Sequence, residues 1–111
     1  MGNSNSNTET ISTQPVRQVL SSADIVLFKM DGCPYCDTAV DALKKAGYEG
    51  KTNIVLASDS QREELYELTN VTSLPSVWVK GKYVGGCNDG PEPWMGIKKI
   101  IARDELKSML E

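Results

Sequence analysis

The sequence contains no histidine and only three cysteines, Cys33, Cys36 and Cys87. A structural zinc site needs four soft ligands, so the chain alone cannot supply a full set. A Cys-x-x-Cys pair read as half of such a site would need a carboxylate or a second chain to complete it. Cysteines this few also argue against a disulfide scaffold and for a reducing compartment, with the cytoplasm as the expected location. No stripe of basic residues with interleaved aromatics is present, which removes nucleic acid from the expected partners. Twelve basic residues against fifteen acidic give a net charge of −3. No apolar run approaches the roughly 20 residues a transmembrane helix requires. The N-terminus shows neither the basic start and apolar core of a secretory signal nor an Arg-rich transit pattern. The 111 residues suit one domain with a single core.

What the chain does have is Gly32-Cys33-Pro34-Tyr35-Cys36. Upstream, Asp24–Lys29 is an apolar run of strand length. Downstream, Cys36, Val40 and Leu43 recur at near-helical spacing, and Gly47 is a natural stop. The pair therefore sits at a strand-to-helix junction, on the positive end of a helix dipole, which stabilises a thiolate. Cys33, at the tip, is the expected nucleophile. Cys36, one turn in, is placed to attack a mixed disulfide formed on Cys33. A three-residue step on a helix constrains little of the fold, so a purely structural bridge is the weaker reading.

Residues 1–12 are polar and are expected to form a disordered tail, with one domain over 13–111. Met1-Gly2-Asn3-Ser4-Asn5-Ser6 satisfies the N-myristoylation pattern, and a membrane partner is expected only if Gly2 is acylated. Ser12 or Thr13 is expected to cap a short helix presenting Val16, Val19 and Leu20. Asn53–Ala57 reads as a second buried strand. A helix follows to about Thr69, with Ser60 and Glu63 at capping-box spacing and Leu65 and Leu68 inward. Pro75 marks the mouth of a third strand, Ser76–Lys80, a position that also admits a cis bond. Gly81-Lys82 predicts a hairpin into Tyr83-Val84. Asp89 is the expected N-cap of a helix with Pro91 in its first turn and Trp94, Ile97 and Ile101 on its inner face. A last helix spans about Asp104 to Leu110. Two strands separated by a helix, then a hairpin, predict an α/β fold with a four-stranded mixed sheet flanked by helices. A Cys-x-x-Cys in that setting suggests a thioredoxin-like redox domain.

Three segments then resemble a dithiol glutaredoxin: Cys33-Pro34-Tyr35-Cys36, Ser73-Leu74-Pro75 and Gly85-Gly86-Cys87-Asn88-Asp89. The resemblance covers roughly residues 14–110. It implies a thioredoxin-like fold and glutathione-dependent reduction of mixed and protein disulfides, with Cys33 attacking and Cys36 resolving. It implies that Pro75 is a cis-proline facing Cys33, and that the Leu74 backbone pairs with the glutathionyl cysteine. Gly86, Cys87, Asn88 and Asp89 would hold the γ-glutamyl end. Arg62 would bind the glycine carboxylate, and Tyr35 would flank the pocket. The family's usual cation three residues before the first cysteine is replaced by Met30, with Lys29 one residue earlier, and Asn88 replaces the usual first Asp. The expected reducing co-substrate is glutathione or a related conjugate, and a conjugate carrying a positive charge would not need the missing cation; no metal and a monomeric state are expected. The Gly90–Met95 stretch lies outside the family pattern, and Trp94 is expected in the core. The competing expectation is an iron–sulfur carrier that uses Cys33 and glutathione in a dimer.

Overall fold

The structure, a computed structural model, describes residues 10–11, 14–92 and 94–111. In chain order its elements are β1 (Thr10–Ile11), α1 (Val16–Val19), β2 (Ile25–Lys29), α2 (Pro34–Lys45) and β3 (Thr52–Leu56). They continue with α3 (Asp59–Thr69), β4 (Ser76–Val79), β5 (Lys82–Gly85), α4 (Ile97–Ala102) and α5 (Leu106–Met109). The sheet order is β1-β3-β2-β4-β5. β2 and β3 run parallel, which requires a crossover, and α2 supplies it. β4 is antiparallel to β2 and to β5, so four strands form the expected mixed, thioredoxin-like sheet. The β4–β5 hairpin turns on Lys80 and Gly81, whose φ values of 54° and 78° match a two-residue turn.

Thr10–Ile11 fall inside the segment read as a tail. They pair in parallel with Val55–Leu56, adding a short fifth strand on the otherwise open edge of β3. The rest of that segment, including Gly2 and the proposed cap Ser12, lies outside the described residues, as does Thr13, the other proposed cap. The backbone N–H of Val16 instead donates to Glu64 Oε1 of α3 at 2.8 Å.

Side chains alternate across β2 and so feed two cores. Ile25 and Leu27 meet Ala39 and Leu43 of α2, Ile97 and Ile100 of α4, and Leu106 of α5. Val26 and Phe28 face the other way, onto Val16, Val19, Leu65 and Trp78. Lys29 continues the Ile25–Leu27 face and therefore points toward α2. Each fully buried aliphatic or Phe side chain stabilises the fold by about 1.5–3 kcal/mol.

Three local expectations are corrected. The capping box of α3 is Ser58–Gln61, not Ser60–Glu63: Ser58 Oγ accepts from the Gln61 N–H, and Gln61 Oε1 accepts from the Ser58 N–H. The buried Gln61 amide also donates to the Gln14 carbonyl, a tie across 47 residues that local spacing does not reveal. Leu68 faces outward, while Leu65 is buried. Finally, α4 begins at Ile97, not near Asp89, and Trp94 is 47% exposed rather than in the core. Pro91 disfavours helical backbone at the residue before it, Gly90. The chain therefore loops outward until Met95 takes the buried place.

Candidate active site

Cys33 is the N-cap of α2, with extended backbone, and Pro34 follows at the first helical position, where a missing N–H costs nothing. Cys33 and Cys36 form a disulfide, with Cα atoms 5.2 Å apart. Cys33 Sγ accepts the backbone N–H of Cys36 at 3.1 Å, so a free donor of the helix's first turn points at the sulfur. That donor and the helix dipole both favour negative charge on Cys33. Cys36 is fully buried, whereas Cys33 retains 6% exposure. The order of attack read from the sequence thus has a steric counterpart: a substrate reaches Cys33 first.

Opposite the sulfur stands the loop entering β4. The Leu74–Pro75 bond is cis. Leu74's carbonyl oxygen lies 3.7 Å from Cys33 Sγ, where a reduced thiol would donate to it. Next to this loop, Gly85 and Gly86 end β5 and begin the turn to Asp89. The Gly86 N–H donates to the Asp89 carbonyl at 2.7 Å. A Cβ on Gly86 would stand 3.1 Å from the Pro75 carbonyl oxygen, so glycine permits the two loops to approach this closely. α4 anchors the turn from below, because the N–H groups of Ile97 and Lys98 donate to the carbonyls of Gly86 and Cys87.

These loops enclose a cleft of about 320 Å³ lined by Tyr35, Ser73, Leu74, Pro75, Gly86, Cys87, Asn88 and Asp89. Seven of the residues singled out in the sequence therefore meet in one groove beside Cys33, and Ser73, quoted in its motif but given no role, joins them. Tyr35 is exposed at its rim. Cys87 is buried, and burial, reinforced by Asp89, raises its thiol pKa despite the opposing charge of Lys98. Burial and then Asp89 also raise the Tyr83 phenol. Among the described residues that line the groove, Asp89 is the one carboxylate and there is no cation.

Two predicted residues stand apart from it. Arg62 lies on the exposed face of α3 and lines a separate concavity with Asp59, Glu63, Tyr66, Glu67 and Thr72. Lys29 is only 8% exposed and forms an ion pair with Asp37 of α2, Nζ to Oδ1 3.8 Å. Asp37 was not singled out from the sequence, although its position four residues after Cys33 places the two on one helix face. Met30, in the position of the family's usual cation, is partly exposed.

The family model described as Glutaredoxin matches residues 25–84, more than half of the chain. The chain belongs to the glutaredoxin family. A glutaredoxin of Vernicia fordii is 33% identical over 76 residues, which are 65% of this chain and 72% of that protein. The holo form of glutaredoxin C1 from Populus tremula x tremuloides is 26% identical, with a TM-score of 0.70 over 85% of this chain and 89% of that one. A buckwheat glutaredoxin–glutathione complex has the same fold, with a TM-score of 0.71 at 22% identity over 86% of this chain and 83% of that one. With its Cys33–Cys36 pair at a helix N-terminus, this glutaredoxin is a thiol–disulfide oxidoreductase. The family model's span stops at Val84, short of the Gly85–Asp89 turn.

Proposed function

We propose that this glutaredoxin reduces glutathionyl mixed disulfides and protein disulfides, with glutathione as its reducing co-substrate. The observation that carries this reading is the single groove from Cys33 past cis-Pro75 to the Gly86–Asp89 turn. The glutathione bound in the buckwheat relative supports it at the level of the fold. In the proposed binding mode, the Leu74 backbone pairs with the cysteinyl residue of glutathione. The turn at Gly86, Cys87 and Asn88 then receives the γ-glutamyl group, whose ammonium faces the Asp89 carboxylate.

In the monothiol route the Cys33 thiolate attacks the glutathionyl sulfur of a mixed disulfide. The client thiolate leaves, and a glutathionyl group remains on Cys33. A second glutathione thiolate attacks that group's sulfur, forming oxidised glutathione and restoring the Cys33 thiolate. In the dithiol route Cys33 attacks a protein disulfide and releases one client thiolate. Cys36 then loses its proton and displaces the other, leaving the Cys33–Cys36 disulfide for two glutathiones to reduce. The roles separate in Cys36→Ser: the variant keeps turnover of a small glutathione mixed disulfide in a reductase-coupled assay and loses most reduction of a protein disulfide. Loss of both activities together would contradict the assignment of glutathione.

A further inference from the structure

Beyond the groove just described, a second cleft of about 410 Å³ shares four of its walls, Ser73, Pro75, Gly86 and Asp89. Leu68 and Val71 form one outer wall, and Gly90 and Pro91 form the other, from the loop outside the family pattern. Leu68 and Val71 are large apolar side chains left 39% and 37% exposed. Tyr83 contributes an aromatic wall, and Asp89 is the one charged group lining the cleft. The cleft therefore adjoins the redox groove along those four residues, without Tyr35 or Leu74 from the Cys33 side, and Leu68, Val71, Tyr83 and Pro91 give it apolar walls. Glutathione has no residue beyond its γ-glutamyl group on that side. A polypeptide client does.

We propose that this second cleft is a client-recognition subsite. It takes an apolar side chain two residues before the reacting cysteine of an extended client segment. The inference rests on the glutathione reading for its direction, since the γ-glutamyl end lies on the N-terminal side of the cysteinyl residue. Side chains alternate along an extended chain, so the residue two before the cysteine points to the same side as the cysteine, about 6–7 Å further on. Leu68, Val71 and Pro91 offer that side chain an apolar seat. Asp89 opposes an acidic one through like charge and desolvation.

The test uses the reduced full chain and short blocked peptides whose cysteine is joined to thionitrobenzoate as a mixed disulfide. Cys33 attacks the peptide sulfur, forming the Cys33–peptide disulfide and expelling the coloured thiolate. The second-order rate is read for Leu, Gly and Asp two residues before the cysteine, and again two residues after it. The expected result is a rate about tenfold higher for Leu than for Asp at the earlier position, with little preference at the later one. Leu68→Ser together with Val71→Ser changes only partly exposed positions. It should reduce the Leu rate to that of Gly while leaving attack on glutathionyl thionitrobenzoate unchanged. Equal rates for Leu and Asp on the unmodified chain, or a preference only after the cysteine, overturn the subsite. Failure of the glutathionyl compound alone would count against the glutathione reading instead, so the two outcomes are distinguishable.

Discussion

Lys29 is the cation most exposed to a quantitative test, because strand parity and the Asp37 ion pair both place it under the redox helix. Replacing it with Met preserves length and apolar contact in its buried position while removing one positive charge. Side chains at i and i+4 on a helix have Cβ atoms about 5–6 Å apart, and Asp37 stands four residues after Cys33. With Nζ 3.8 Å from the Asp37 carboxylate, the ammonium is on the order of 7 Å from the sulfur. At an effective dielectric constant of roughly 20–40 its attraction to a thiolate is then about 1–2 kcal/mol, or roughly one pKa unit. Lys29→Met should therefore raise the apparent pKa of Cys33, read from the pH dependence of iodoacetamide alkylation, by about one unit. Asp37→Asn should lower it, because a negative charge near the sulfur is lost. Lys29→Arg should hold it near the starting value. If Lys29→Met leaves the alkylation profile in place but raises KM for the glutathionyl substrate, Lys29 contacts the ligand and does not tune the sulfur. Arg62→Ala completes the comparison, since the exposed Arg62 has no reason to alter alkylation. A rise of about tenfold in its KM would assign the carboxylate-binding role to Arg62.

Alkylation at mildly acidic pH should label Cys33 first after reduction and Cys87 last, because burial holds the Cys87 thiol protonated; equal labelling by peptide mass spectrometry would contradict the site. Gly96→Ala should destabilise the fold by about 2–4 kcal/mol in denaturant unfolding. Its φ is +113°, and a Cβ would press within 2.7 Å of the Asn88–Asp89 backbone, so KM for the glutathionyl substrate should rise as well. The folded-state pKa values of Cys87 and Tyr83 lie above their ordinary values of 9.0 and 10.0. The unfolded chain therefore loses these protons first, and stability should fall as pH rises beyond about 9. Cys87→Ala should make that alkaline decline shallower, as measured by Tm against pH.

The parts legible in the sequence were those whose backbone chemistry is local. The Cys33–Cys36 motif announced a helix start, Gly47 its stop, and Gly81-Lys82 a hairpin whose turn falls one residue earlier, on Lys80 and Gly81, because each depends on residues within one turn of itself. The cleft was legible only through the resemblance of three short motifs to the glutaredoxin family. What local spacing did not reveal was which of two equivalent patterns tertiary structure selects. Ser58–Gln61 and Ser60–Glu63 both have capping-box partners three residues apart. The first is realised because Gln61 is buried between α3 and the Gln14 carbonyl. Lys29 and Met30 were an ambiguous pair for the same reason, and the continuous face through Ile25 and Leu27 decides between them.

The loop after Asp89 shows how a misread cap changes the functional surface. Asp89 followed by Glu92 has capping-box spacing, but a helix starting there would bury Asp89's carboxylate against its own first turn and draw Trp94 inward. Pro91 opposes this, and Gly90 lies against Val84 and Met95 so closely that a Cβ would be within 2.7 Å of both. Asp89 is thereby left to line both clefts. Arg103 holds the displaced loop on its outer side: its guanidinium donates to the Trp94 carbonyl at 2.7 Å and lies 5.7 Å from the centre of the indole ring. An exposed aromatic fixed in this way keeps Gly90 and Pro91 in place as a wall. The same loop that hid the start of α4 therefore supplies one wall of the cleft proposed for the client side chain.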